Sequence, residues 1–371
     1  GGLARARPLD RGAEMKRPGV NTVAIEPRSA VTAMRPYKPP LEGRSEKLRL
    51  DFNENPMGCS PSVRRALARL NSTGISAYPE QETTRREIAK YFRVTPEEML
   101  FTNGTDEGLN LVVGSYVEPR QTALIVEPTF AMYRFYSELA GARIVTVRYD
   151  AKMRFPTAGV RAALHKSPRV FFLANPNNPT GTLVPPALLR GFLQAAPRTI
   201  LVVDEAYFDF CGVTVIPWIR RYKNLVVTRT FSKAFGLAGM RLGCVFVHRD
   251  VAAIMRKAQS PYPVSAAALV AAAAAVRDRP FLERSLRELR SGQVLIEKGL
   301  AALQLPFFPT AANFVLVNFG GRMKEIVTEL SRRGVLIRDR SSDFNGAGYA
   351  RITFGTPPQM RRLLAELKQV L

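Results

Sequence analysis

The chain has 371 residues, 46% of them hydrophobic and 9% aromatic, enough to bury a large core and to suggest two domains. Its 54 Lys and Arg against 31 Asp and Glu give a net charge of +23, yet these residues are spread along the whole length without a basic helix, finger spacing or aromatic RNA-binding motif; this reads as an arginine-rich surface around anionic small-molecule ligands, with no nucleic-acid partner. Three cysteines, Cys59, Cys211 and Cys244, are too few and scattered for a disulfide framework or a paired metal motif, so a reducing cytoplasm is expected and a metal is not.

Residues 1–34 are rich in Arg, Pro and Gly, lack any helical or strand period, and lack the apolar stretch of a secretory signal; they predict a flexible arm. From residue 99 onward short β-rich runs alternate with helical stretches, at 99–102, 123–127, 143–147, 170–174, 199–203, 224–228 and 242–247. Such alternation predicts an α/β fold with a mostly parallel sheet covered by helices. The longest apolar run, 266–276, is too short to cross a bilayer and is mostly alanine, so it predicts a packed helix and no membrane partner. Beyond it, strand candidates at 313–318, 334–338 and 349–353 outline a smaller unit. Functional residues are expected where the parallel strands end, because loops and helix N-termini converge there.

Two strand ends carry the strongest chemistry. Val-Val-Asp204-Glu-Ala-Tyr207 and Arg229-Thr230-Phe231-Ser232-Lys233 each follow a buried apolar run, which brings an acid and a lysine out side by side. Pyridoxal phosphate needs that pair: a lysine to hold its aldehyde, and a carboxylate to keep its ring nitrogen protonated. An acid at a strand end often only caps the next helix, and a lone Ser-Lys is usually a solvated charge. Here each supports the other. Asn103-Gly104-Thr105-Asp106 opens an apolar helix, and free N–H groups at a helix start bind anions, so Gly104, Thr105 and Asp106 form a candidate phosphate cup, helped by Thr230, Ser232 and Arg241. Asn175-Pro-Asn-Asn178-Pro-Thr-Gly181 follows the 170–174 run; the simplest reading is a turn, but its prolines can hold an asparagine amide in one orientation. His165 and His248 belong to no recognisable motif.

These segments, from Arg35-Pro-Tyr37 to Thr353-Phe-Gly355-Thr, resemble those of fold-type-I pyridoxal-phosphate aminotransferases, above all the histidinol-phosphate aminotransferase family. The resemblance implies a mostly parallel seven-stranded sheet in a large domain, residues 76–265, and a smaller α+β domain made of 35–75 and 266–371. It implies that Lys233 carries the cofactor pyridoxal 5'-phosphate and moves the proton, that Asp204 partners the ring nitrogen, that Tyr207 and Asn178 reach the ring oxygen, and that Phe130 stacks on the ring. Asn178 would also meet the substrate's anionic group. Arg338 and Arg351 match the family's anion clamps, a role that suits the planar guanidinium fork. Tyr37 matches a tyrosine that closes over the substrate phosphate, and Tyr78 one donated to the phosphate cup by the other subunit of a homodimer. The implied reaction joins histidinol phosphate and 2-oxoglutarate to imidazole acetol phosphate and L-glutamate. An aromatic amino acid transaminase and, more distantly, a threonine-phosphate decarboxylase share the same fold and motifs.

Overall fold

The computed structural model of the protein describes residues 25–36 and 40–371. Within them Ser29–Ala33 forms one short helical turn, where the sequence shows no helical period, and the Arg28 guanidinium donates to the Leu139 carbonyl at 2.9 Å. The first strand, β1 (Leu48–Leu50), is also absent from the sequence-based expectation, because three residues are too few to display a period.

The seven expected runs become β2 (Met99–Asn103), β3 (Thr122–Glu127), β4 (Arg143–Arg148), β5 (Val170–Ala174), β6 (Ile200–Asp204), β7 (Leu225–Thr230) and β8 (Leu242–Val247). They form one sheet in the order β2-β8-β7-β6-β5-β3-β4, parallel except for β8, which runs antiparallel to both neighbours. Both faces are covered. Leu124, Val126, Phe171, Leu173, Leu201 and Val203 pack on one side, against a layer that includes the helix Ala266–Arg277. Ala123, Ile125, Val170, Phe172 and Val202 pack on the other, against the helix Gly104–Tyr116. Double burial is why these strands read as continuous apolar runs rather than alternating ones. Val63, Ala271, Ala272, Ala274 and Ala275 belong to the first of these cores although they lie outside 76–265 in the chain.

The second sheet joins β1 to β9 (Phe314–Asn318), β10 (Val335–Asp339) and β11 (Tyr349–Thr353) in the order β1-β10-β11-β9. Its core includes Leu50, Val315, Val335, Ile352 and Leu363. One long helix, Arg279–Ala302, serves both cores: Leu282 packs under the large sheet, and Ile296 and Leu300 under the small one. At 24 residues it spans about 36 Å. In the large sheet β3 sits between β4 and β5, so the chain changes direction between β3 and β5 and opens a crevice beyond their carboxyl ends. The site lies along that edge.

Candidate active site

Asp204 is the last residue of β6 and Thr230 the last of β7, its parallel neighbour, so the acid and the Ser232-Lys233 loop leave the sheet together. Phe231 and Phe235 anchor the loop in the core. At Gly236, φ is +68°, and a Cβ there would come within 2.3 Å of the Gly58 carbonyl oxygen, so only glycine lets the loop close. Lys233 Nζ donates to the Phe52 carbonyl at 2.8 Å. Burial, with the Arg351 guanidinium adding to it, lowers the Lys233 pKa to about 8.

Asp204 is buried. Its Oδ2 accepts from the Tyr133 hydroxyl at 2.8 Å and its Oδ1 from the Ala206 amide at 3.1 Å. Burial pushes its carboxyl up, while those donors pull it down; it forms no ion pair with a described residue. A buried carboxylate without a cation is costly, and a protonated pyridine nitrogen would answer it. The Tyr207 hydroxyl accepts from Asn53 Nδ2 at 2.8 Å, and its ring meets Phe314 edge-on.

The phosphate corner is built on a close approach. Gly104, at φ +70°, opens the helix, and a Cβ there would fall 2.4 Å from the Arg241 guanidinium. Its own amide donates to the Arg241 carbonyl at 2.9 Å, so Gly104 contributes the tight turn rather than a free amide. The amides of Thr105 and Asp106 lie in the first helical turn, where no carbonyl stands four residues behind. The Asp106 carboxylate takes the Arg241 guanidinium at 3.0 Å, aligning that cation over the cup.

Asn178 is aimed by its neighbours. Asn175 is tied to Val184 through both ends of its amide, and Asn177 Nδ2 donates to the Pro128 carbonyl and Thr180, which leaves Asn178 to face the site. Its Oδ1 accepts from the Arg351 guanidinium at 2.5 Å, and Arg351 also donates to the Asp51 carbonyl at 2.5 Å. Arg351 on β11 stands directly across from Arg338 on β10. The Arg338 guanidinium lies 5.5 Å over the Phe52 ring.

One cavity of about 620 Å³ gathers Thr105, Asp106, Phe130, Asn178, Asp204, Tyr207, Thr230, Ser232, Lys233, Arg241, Arg338 and Arg351. Among the described residues, the expected Gly104 and Tyr78 stand apart from it. Tyr78 does not line it; its ring, 76% exposed, stacks on Tyr262 with centroids 4.1 Å apart. Tyr37 lies outside the described residues. Nine lining residues were not anticipated, among them Phe52, Asn53, Glu54, Tyr133 and Arg340. A polar run ending in proline, Asn53-Glu-Asn-Pro56, was the available signal for two of them, and the three-residue spacing from Phe130 to Tyr133 for a third. A carboxylate for a ring nitrogen, an amine, an aromatic wall and a cationic helix N-terminus in one cavity fit pyridoxal 5'-phosphate.

Fold and site together define a fold-type-I pyridoxal-phosphate enzyme. The chain belongs to the aminotransferase class I and II family, whose profile matches residues 45–367. It is 37% identical to the histidinol-phosphate aminotransferase of Symbiobacterium thermophilum, over 93% of this chain and 98% of that protein. It is 32% identical to that of Moorella thermoacetica, over 93% and 92%. The crystal structure of histidinol-phosphate aminotransferase from Sinorhizobium meliloti, in complex with pyridoxal-5'-phosphate, matches with a TM-score of 0.86 at 27% identity, covering 94% of this chain and 98% of that one.

Proposed function

We propose that the chain transfers the amino group of L-glutamate to imidazole acetol phosphate, giving L-histidinol phosphate and 2-oxoglutarate. The observation that carries this reading is the pair Arg338 and Arg351, set across from each other on adjacent strands and lining the same cavity as Lys233 and Asp204. Two guanidiniums serve substrates that each bring an anion at one end, and glutamate brings a second. The names of the relatives support the same substrate.

When bound, the cofactor supplies the electron sink for the carbanion formed at the substrate carbon. Asp204, held by Tyr133 and the Ala206 amide, keeps the ring nitrogen protonated. Tyr207 and Asn178 would address the ring oxygen, and Phe130 would cover the ring. Thr105, Asp106, Thr230, Ser232 and Arg241 hold the cofactor phosphate. Lys233 would hold the cofactor between turnovers; once released, its lowered pKa would leave a share of neutral amine to take the proton from the substrate carbon. Arg351 takes the α-carboxylate of glutamate or the phosphate of the amino alcohol, and Arg338 the distal carboxylate. The working unit is a homodimer in which Tyr78 serves the partner's phosphate cup, and its setting is the cytoplasm. No described helix is long and apolar enough to cross a membrane.

The test is a turnover comparison of histidinol phosphate with phenylalanine and tyrosine, each with 2-oxoglutarate as acceptor. Histidinol phosphate should have the highest kcat/KM. Faster turnover of the aromatic amino acids would move the assignment to an aromatic transaminase.

A further inference from the structure

β10 ends at Asp339, but its pairing continues for one more residue: the Arg340 amide donates to the Tyr349 carbonyl at 2.9 Å. Arg340 follows Arg338 by two positions, at the point where the backbone turns out of the strand (φ −124°, ψ 13°). Both line the cavity, and Arg351 faces Arg338 from β11. Three guanidiniums thus crowd one corner of a small sheet, where like charges destabilise unless something answers them. Arg338 is answered by the Phe52 ring, and Arg351 by Asn178 and the Asp51 carbonyl. Arg340 is held differently. Its side chain is only 13% exposed and pairs with Asp343, yet its Nε is buried without a hydrogen-bond partner. A buried donor left idle costs free energy that a bound acceptor would recover.

We propose that Arg340 is a specificity-determining residue that supplies the second positive charge required by a phosphomonoester, with Asp343 as its counter-ion when no phosphate is bound. The inference rests on the substrate reading above and deepens it. A carboxylate carries one charge on two oxygens, and a single guanidinium fork satisfies it. A phosphomonoester carries about −1.5 to −2 at neutral pH on three acceptor oxygens, so Arg351 alone leaves charge unanswered. Arg338 is needed for the distal carboxylate of glutamate. A third cation at this corner therefore serves the phosphorylated substrate.

Arg340→Gln removes the charge and keeps much of the side-chain length. The readout is a ratio of single-turnover half-reactions followed by cofactor absorbance. The loss in kcat/KM for histidinol phosphate should exceed the loss for glutamate by about tenfold or more, as expected for one charge-assisted hydrogen bond. Arg340→Lys, which keeps the charge, should recover most of it. Equal losses in both half-reactions, or no loss in either, would overturn the proposal. If the wild-type protein turns over glutamate but not histidinol phosphate, the substrate reading fails separately. Arg340 is then judged by inorganic phosphate as a competitor of glutamate, with acetate as the control anion. Arg340→Gln should weaken phosphate about tenfold more than acetate, and equal weakening overturns the proposal. Should that variant not fold, Asp343→Asn tests the same idea from the other side. Freed of its counter-ion, Arg340 should strengthen competition by phosphate, and unchanged or weaker competition overturns it.

Discussion

Burial takes the Lys233 ammonium from its ordinary 10.5 to about 8, and the Arg351 guanidinium pushes the same way, so a sizeable share is the neutral amine that cofactor capture requires. Protein stripped of cofactor should take up pyridoxal phosphate at a rate that climbs as pH rises through about 8 and then levels, measured by stopped-flow absorbance. A midpoint near 10.5 would mean that the amine is solvated. Borohydride should then fix the cofactor to Lys233, and peptide mapping to any other lysine would remove the assignment. Asp204→Asn keeps the shape and loses the charge; turnover should drop about 10²–10⁴-fold while the cofactor still binds, the range for losing a positioned proton partner. Arg351→Ala should impair both half-reactions, and Arg338→Ala the glutamate one more than the other; a glutamate half-reaction unchanged in both would refute the clamp. Asp204 was legible because it ends an unbroken apolar run, and Lys233 because of the segment around it, from Arg229 to Lys233. Asn53 was not, since its value depends on a backbone at φ +56° and on Tyr207 far along the chain. Arg340 was hidden by composition: in a chain of net charge +23, one more arginine carries no signal.

The elements hold these residues through contacts that do no chemistry themselves. Directly behind the site, Glu205 and Arg229 form a buried ion pair at 2.7 Å between the chain just past β6 and β7, and the Arg229 guanidinium lies 3.4 Å over the Phe208 ring. Glu205 also accepts from the Val215 amide and Thr214. Removing one member of such a pair leaves an unanswered charge in the core, so Glu205→Ala should cost about 3–5 kcal/mol in a denaturation experiment, well beyond a surface substitution. A loss below about 1 kcal/mol would show that the pair is hydrated. The strands β5, β6 and β7 were legible because five or six buried residues in a row are their own signature. The helix at the phosphate corner was expected to open at 103–106 and starts at Gly104, its polar first turn marked by the glycine and the acids rather than by apolar periodicity. β1 was missed because its partner, β10, lies near the other end of the chain, and its pairing is set by packing that no local window contains.

At the scale of the molecule, the exposed stack of Tyr78 on Tyr262 is a large aromatic surface outside its own cavity. If Tyr78 serves the partner's site, Lys233→Ala and Tyr78→Asp proteins should each be inactive. Refolded together, their mixed dimers combine both defects in one site and neither in the other. Equal mixing should restore about a quarter of wild-type activity, as two-fold statistics require; no recovery, with subunit exchange verified by mass, would place Tyr78 in its own subunit's service or in none. Residues far apart in the chain can also be bound together within one subunit. The Arg241 guanidinium fills the space into which any side chain at position 104 would have to grow, so the two codons are not free to drift independently. A library randomised at both positions and selected for growth should return the Gly-Arg combination intact. Survivors with a larger residue at 104 should carry a truncated one at 241, which makes the pair a single heritable unit.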